Sequence, residues 1–468
     1  GPLPVTIASY EQVLRDNFVL LRASERMSRI KEAVGSSDDA LVKTLVYLAE
    51  FPTPIHGSFD ASYLELPEEI LSTVMRHHQR YFSVLNAAGS LAPEFIAIAN
   101  TDGDPDGLIR QGHERVLRAR FNDARFFWNI DQQKNLSARL PDLAKVTFHA
   151  KLGSYKDKTE RVVRLAAELA AQTGADENAV ARAALLSKCD LTTDMVKEFP
   201  ELQGIVGGLY AREQGESEAI AAAIYDHYKP VGMEDSIPRT LNGQVLSIAD
   251  KLDTLRECFR IDLVPTGSKD PFALRRAAQG IVKILFEAEL QIDVLHISQP
   301  ELKTFLLERI SFYLREVGGF PYDEVNAVMA TSSRTVIDFL DRIKALHHVR
   351  PTDDFISIAA GFKRIKNILI QAKFFGHAPV KLELLTNGPE KQLYEAALAV
   401  SKAFETAAGY KHQLELIASL RPQVDLFFDK ILVNDPDPEI RQNRLALLSN
   451  LLAEFSTIAD FSEIVTQG

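Results

Sequence analysis

Cysteine is scarce in this 468-residue chain: the two present, Cys189 and Cys258, cannot build a disulfide framework, and neither sits in a Cys-x-x-Cys pair. A reducing compartment is the default for such a chain, so a cytoplasmic location is expected. Long apolar runs are missing as well. No segment is apolar over enough residues to cross a bilayer, and no basic-then-apolar leader opens the chain. There is no initiator Met; the opening Gly-Pro-Leu reads as a protease scar ahead of a truncated gene product and is set aside. Net positive charge is lacking too. A balance of −11 argues against a protein coated with nucleic acid, but not against a local patch, because phosphate binding depends on where lysines and arginines cluster. They cluster between Asp106 and Arg164, with 13 Lys/Arg against 7 Asp/Glu.

What is there is ordinary globular composition, 46% hydrophobic and 25% charged, in a chain long enough for about three domains. Helical spacing of apolar residues appears in Tyr10 to Ala23, in Asp39 to Glu50, and almost continuously from Lys151 to about Leu346. Breaks are expected at Gly174, Pro200, Gly215, Pro230-Val-Gly, Pro265-Thr-Gly and Gly318-Gly-Phe-Pro321. The apolar run Phe95-Ile-Ala-Ile-Ala99, bounded by Pro93 and Asn100-Thr-Asp-Gly-Asp-Pro, predicts a buried strand, with Tyr81 to Leu85 pairing to it across Asn86–Gly89. The stretch His347-His-Val-Arg-Pro-Thr-Asp-Asp354 predicts a turn-rich link, after which amphipathic helices break at Asn387-Gly-Pro and Asn434-Asp-Pro-Asp-Pro. The expected fold is mainly α and multidomain: residues 1–145, helical with a small α/β part; 146–346, a helical body; and 347–468, a C-terminal helical domain.

Several clusters could carry function. Leu66-Pro-Glu-Glu starts a helix whose C-terminal turn crowds Arg76, His77, His78, Gln79 and Arg80 beside Tyr81 and Phe82. Such cations suit a helix dipole, or they grip phosphate while the aromatics stack on unpaired bases. Gly112 to Trp128 is the densest basic-aromatic stretch: Arg115 and Arg118 share a helical face, Arg120 and Arg125 follow, and Val116, Leu117, Phe121 and Phe127 have core spacing. Lys363, Arg364 and Asn367 fall near one face of a later helix, opposite Ile365, Ile368 and Leu369; Arg441 and Arg444 are i and i+3 on the closing helix. With Leu445 and Leu448 on the buried side, both arginines are expected to point outward. Asp250 and Asp253 share a helical face, and Asp270 is placed to cap a helix with Pro271 at its first position, so that Arg275 and Arg276 lie one turn in. Two look-alikes are discounted. Arg26-Met-Ser-Arg29 resembles the signature loop of class I synthetases but lies within an early helix. Thr266-Gly-Ser-Lys-Asp270 is too short for a phosphate loop.

The composite Leu246–Leu255 plus Val264–Arg276 resembles the beta subunit of the bacterial two-subunit glycyl-tRNA synthetase, and so do Met75–Phe82 and Gly112–Trp128. The resemblance runs from about Tyr10 to Phe461, strongest at 65–82, 112–128, 148–160, 184–204, 246–276 and 425–448; the family's chains are longer at the N-terminus. It implies an α₂β₂ enzyme whose alpha subunit makes glycyl-adenylate from glycine, ATP and magnesium, while this subunit binds tRNA-Gly and holds no cofactor of its own. In agreement, no adenylate-forming motif is present. The C-terminal pattern resembles the anticodon-binding domain of arginyl-tRNA synthetases, its Asp-Ala-Leu-Arg motif degraded here to Pro-Glu-Ile-Arg441. It implies tRNA contacts at Lys363, Arg364, Asn367, Arg441 and Arg444, in addition to Arg76, His78, Gln79, Arg80, Arg115, Arg118 and Arg120.

The middle region resembles the helical HD phosphohydrolases, which hold a metal with a His, a His-Asp dyad and a later Asp. Asp190, His227 and Asp250 match, whereas Lys158 stands at the first His and Cys189 at the dyad His. An ammonium repels a dication and two imidazoles are lost, so buried polar contacts, and no metal, are expected there. An HD-type phosphohydrolase acting on a nucleotide or RNA end is the alternative reading of the chain.

Overall fold

In the computed structural model, helices dominate and one small sheet lies near the N-terminus. The structure describes residue 6 and residues 9–35, 38–333, 335–374, 376–385 and 388–465. The opening Gly-Pro-Leu and Asn387 of the expected Asn387-Gly-Pro break lie outside them.

Helix-stop chemistry shapes the first segment. The periodicity over Tyr10 to Ala23 yields only α1 (Tyr10–Asp16), because Phe18 takes a left-handed turn (φ 60°) and Leu20 N–H donates to the Glu50 carbonyl. Next comes α2 (Ala23–Val34), ended by Gly35 at φ 56°, the left-handed C-terminal cap that glycine adopts without steric cost. Asp38 caps α3 (Asp39–Val46) by accepting from Leu41 N–H. Ile30, Leu41, Val42, Leu45 and Val46 pack on Phe82 and Ile96 of the sheet.

The sheet has antiparallel order β1 (Pro52–Ser58), β3 (Leu91–Asn100), β2 (Phe82–Leu85). The expected β2–β3 hairpin is present, with Phe82 opposite Ile96. Sequence patterning misses β1 because Pro52 and Pro54 read against a strand; proline is tolerated at an edge, which is where β1 lies. Then α4 (Glu68–Thr73) passes into a π-helical turn (Val74–Gln79) that ends at Arg80 with φ 58°. After it come the long α5 (Leu108–Asp131) and short α6 (Leu136–Arg139), then the hairpin β4 (Thr147–His149) and β5 (Gly153–Ser154).

The helical body follows as α7 (Tyr155–Thr173), α8 (Glu177–Leu186), α9 (Asp194–Glu198), α10 (Ile205–Glu213), α11 (Glu218–Asp226) and α12 (Leu241–Arg260). The interruptions fall at the expected Gly174, Pro200, Gly215 and Pro230. Beyond them lie α13 (Leu274–Glu287), α14 (Pro300–Glu316), α15 (Tyr322–Met329) and α16 (Val336–Val349). The C-terminal helices are α17 (Asp353–Gln371), α18 (Pro389–Phe404), α19 (Gly409–Ala418), α20 (Arg421–Lys430) and α21 (Pro438–Phe455).

Two expectations need correcting. Asp270 does cap α13, its carboxylate accepting from Leu274 and Arg275 N–H, but across a turn, so Pro271 stays outside the helix. The expected link at 347–354 is instead the last turn of α16 and a three-residue connection. Arg350 donates to the carboxylates of Asp323 (2.6 Å) and Glu324 (2.7 Å), and His347 bonds Glu324 at 2.9 Å, which anchors that turn to α15.

The chain forms two compact units. One comprises Gly1–Ala167, Asp176–Tyr228 and Arg239–Leu246; the other comprises Glu168–Ala175, Lys229–Pro238 and Ser247–Gly468. Among the described residues no helix is long and apolar enough to cross a membrane.

Candidate nucleic-acid interface

Which arginines can reach a phosphate depends on which are already held by carboxylates. In the first unit Arg76 is held. Its Nε lies 2.6 Å and its Nη2 3.1 Å from the two oxygens of Asp38, a bidentate fork fastening the π-turn to the cap of α3. The guanidinium holds the Asp38 carboxyl below the ordinary range. His78 packs edge-on against Phe199, with centroids 4.9 Å apart, and its Nε2 lies 3.6 Å from Glu201. Gln79 is half-buried, and Arg80 projects from its left-handed turn into solvent. Tyr81 and Phe82 cannot stack on bases: they are 4% and 3% exposed, and Tyr81 stacks on Phe95 while its hydroxyl bonds His113 Nδ1 at 2.7 Å. The expectation of a phosphate-and-base patch at 76–82 therefore reduces to Arg80 and the exposed edges of its neighbours. The two aromatics are withheld because β2 begins there and needs them for its core.

Helix α5 divides its arginines by face. Leu117 and Phe121 are fully buried as expected and Trp128 stacks on Tyr210, whereas Val116 is exposed. Arg120 pairs with Glu198 at 3.1 Å. Arg125 lies 4.2 Å over the Tyr63 ring and donates to Ser62 Oγ. Arg115 and Arg118 are exposed and carry no ion pair among the described residues.

In the second unit Lys363, Arg364 and Asn367 emerge from α17 into solvent, with Ile365 and Leu369 buried behind them. Arg364 lies 4.2 Å over the ring of Phe428 on α20. Together with Ile368, Leu432, Val433 and Arg441 they line a cavity of about 380 Å³. Arg441 is held at its rim by an Nη1 bond to the Asp435 carbonyl (3.1 Å). An apolar floor with a planar cation and an aromatic ring on its wall fits an unpaired base flanked by phosphate.

Arg444 does not join this site, contrary to expectation. It is 8% exposed, ion-paired to Glu390 through Nε and to Asp435 through Nη1 (2.6 Å), and bonded to the Leu432 carbonyl at 2.7 Å. Helical spacing is no guide here because α21 has no single wet face. It packs on both α17 and α18, and every residue from Asn443 to Ser449 is buried.

Four of the HD-like positions, Lys158, Cys189, Asp190 and His227, lie buried in the first unit. Asp190 is fully buried, with Oδ2 accepting from Gly204 N–H and Oδ1 without a close hydrogen-bond partner among the described residues; burial pushes its carboxyl up to about 6. His227 is fully buried; its Nδ1 meets the Ile224 carbonyl and its Nε2 lies 2.9 Å from Nζ of Lys188. The carbonyl fixes the proton on Nδ1, so the Nε2 lone pair points at the lysine. Lys188 is itself 2% exposed and lies 3.8 Å over the Tyr228 ring. The HD pattern singles out Lys158 and Cys189 and passes over Lys188; the available signal is a lysine inside the otherwise apolar Ala184-Leu-Leu-Ser-Lys-Cys. Lys158 is buried 5.0 Å from the Phe148 ring, and Cys189 is buried with its thiol pushed up to about 12 by burial. Asp250 belongs to the second unit and is buried. Among the described residues no three His, Cys, Asp or Glu side chains converge in a metal-holding group. With its imidazole lone pair taken by an amine, His227 does not offer a metal the ligand that the HD pattern requires.

Gly204 lets this corner close. Its φ is +82°, and a Cβ there would meet Tyr228 at 2.7 Å and His227 at 3.3 Å.

Exposed guanidiniums beside aromatic rings, on helices that carry no phosphate loop, are the surface chemistry of a helical nucleic-acid-binding protein. Residues 358–460, which contain the α17–α21 cavity, match the family model described as the DALR anticodon binding domain. Residues 4–330 match the model of the glycyl-tRNA synthetase beta subunit. The chain is 48% identical to the glycine–tRNA ligase beta subunit of Acidobacterium capsulatum, over 99% of this chain and 72% of the relative. It is 38% identical to that of Magnetococcus marinus (98% and 71%) and 37% identical to that of a Sulfurihydrogenibium species (97% and 69%). The chain belongs to the glycyl-tRNA synthetase beta subunit family.

Proposed function

We propose that this chain is the tRNA-holding subunit of a glycine–tRNA ligase, and that the α17–α20–α21 cavity receives an unpaired base of the anticodon loop of tRNA-Gly. The observation that carries it is Arg364 stacked over Phe428 beside Arg441, inside the segment matched by the anticodon-binding model. Lys363 and Asn367, exposed on the same helix, flank the loop backbone. The reading includes a cytoplasmic α₂β₂ assembly in which the alpha subunit binds ATP and magnesium and makes the adenylate. It is supported by the beta-subunit family and by the absence of an adenylate-forming motif in this sequence. The phosphohydrolase alternative is not favoured, because Lys188 occupies the lone pair a metal would need.

The test is binding of tRNA-Gly and of an anticodon-swapped tRNA to the Arg364→Ala and Phe428→Ala variants. Removing a group that stacks on a base should weaken tRNA-Gly by roughly 1–3 kcal/mol, and the swapped tRNA to a similar extent, because a stacking platform tolerates any base. Equal affinity of wild type and variants for both would overturn the assignment. The chain alone should catalyse no glycine-dependent ATP–pyrophosphate exchange.

A further inference from the structure

The sequence spacing along α5 places Gln111, Arg115, Arg118, Asn122, Phe126 and Asn129 four, three, four, four and three residues apart. That is one stripe along the helix, roughly 27 Å long at 1.5 Å per residue. All six are exposed, and none of them is acidic. Acids lie beside the stripe: Glu114 accepts from the Ser58 N–H, Asp123 sits on the flank, and the Asp60 carboxyl is held below its ordinary range by the Ser62 N–H and, without an ion pair among the described residues, by the Arg118 charge. Arg115 and Arg118 carry no ion pair among the described residues, in a chain where many other arginines do. Asn122 accepts a 2.6 Å bond from the Tyr63 hydroxyl, which fixes its carboxamide and leaves its N–H groups turned away from that contact. Phe126 is 59% exposed on a helix whose other face buries Leu117, Phe121 and Trp128. The helix has a core face available for such a ring, yet the sequence places it on the wet side.

We propose that this stripe is a second RNA-gripping surface: Arg115 and Arg118 hold phosphates, the amides reach sugar or base edges, and Phe126 stacks on an unpaired base. The inference rests on the reading of the chain as a tRNA-holding subunit but uses a different unit and different residues from the anticodon cavity. The chemistry favours RNA over a protein partner. A protein-docking face needs a contiguous apolar centre ringed by polar groups. Here Phe126, with Phe127 against its ring and Ile130 (37% exposed) one turn on, makes a small apolar end to a stripe otherwise built of amides and guanidiniums, and Leu108, exposed in line with it, is roughly 27 Å away. Guanidiniums outside ion pairs with neutral donors between them match a phosphate backbone, and an exposed aromatic matches one base.

The experiment measures tRNA-Gly affinity against potassium chloride concentration for the chain assembled with its partner subunit. Arg115→Ala/Arg118→Ala should flatten the logarithmic salt slope by about 1.4, from two phosphate contacts to a single strand at roughly 0.7 each. Phe126→Ala should weaken binding about 5- to 150-fold with the slope unchanged, the range for one base deprived of its aromatic platform, and Phe126→Trp should retain it. Wild-type affinity and slope in both alanine variants, while Arg364→Ala still weakens binding, would overturn this inference alone. Loss of the partner subunit from the variants, with tRNA affinity intact, would mark the stripe as a protein-docking face and also overturn it. A wild-type assembly that binds no tRNA would overturn the parent reading and this inference with it.

Discussion

Replacing Arg444 by Met should unfold the C-terminal helices before it affects RNA recognition. The guanidinium side chain is 10% exposed and Glu390, its partner at the start of α18, is 1% exposed. Asp435 and the Leu432 carbonyl complete its bonds, so one side chain ties α18, the 431–437 loop and α21 together. Methionine keeps most of the apolar stem but leaves the buried Glu390 carboxylate without its guanidinium. Removing one partner of a buried pair costs about 3–5 kcal/mol, most of it the stranded charge. For a cooperative unit of this size, at roughly 2–4 °C per kcal/mol, the melting temperature should fall by about 6–20 °C. Calorimetry on the single variant and on Arg444→Met/Glu390→Leu separates the causes. The double variant removes the stranded charge as well, so it should recover more than half of the loss. An Arg444→Met protein that melts with the wild type but binds tRNA-Gly weakly would refute this reasoning and return Arg444 to the RNA-facing set.

Lys188→Met should destabilise the first unit by about 1–3 kcal/mol in chemical denaturation, since it removes the amine bonded to the Nε2 lone pair of fully buried His227; an unchanged midpoint would show that the amine is dispensable. Asp190→Asn should gain on the wild type as pH rises. The Asp190 carboxyl is pushed up to about 6 from an ordinary 3.8, so its stabilising contribution is complete below about pH 4 and is lost as pH climbs through 6. The difference between the two proteins should therefore grow in favour of Asn by up to about 3 kcal/mol between pH 4 and 7, at 1.36 kcal/mol per unit. A pH-independent difference in denaturation midpoints would contradict it. Cys189 and Cys258 are both buried, and native protein should leave them unmodified by a thiol reagent at pH 8 until denaturant is added; fast labelling of either would contradict the packing.

Much of the fold is legible in breaks and periods, because glycine and proline act locally. Gly174, Pro200 and Gly215 end or separate helices wherever they sit. The β2–β3 hairpin is legible for the same reason, and β1 is not, since only its place at the sheet edge makes its prolines acceptable. The candidate site is legible in part. Arg364 and Arg441 reach the cavity from positions that helical spacing assigns, but Phe428, which completes it, lies on another helix and carries no local signal. Arg444 and the pair Tyr81–Phe82 mislead because helical spacing and local clustering do not fix exposure, which depends on what surrounds the element. On α21 helices pack on two sides, and at Tyr81 a strand begins.

The same point decides how a chain of net charge −11 can hold a polyanion. Electrostatic attraction to RNA is local over a Debye length of roughly 8 Å, so what matters is the arginine left unpaired at the surface rather than the sum. Several carboxylates here are engaged by particular guanidiniums: Asp38 by Arg76, Glu198 by Arg120, Glu390 by Arg444, Asp323 and Glu324 by Arg350. Each such pair fastens one element to another and removes both charges from the surface field at short range. The guanidiniums outside these pairs include Arg80, Arg115, Arg118 and Arg364, and the last of them stacks on an aromatic ring. Acidic residues therefore serve the fold, and on the proposed reading a small set of arginines outside ion pairs is left to meet RNA. Adding an acid within the α5 stripe, as in Asn122→Asp, should weaken tRNA binding more than the same substitution at an exposed position outside it, Asn178→Asp on α8 beside Glu177. Both variants shift the net charge equally, so a titration with tRNA-Gly at fixed salt reads position alone. If the two lost affinity to the same extent, total charge rather than local pairing would govern the interaction.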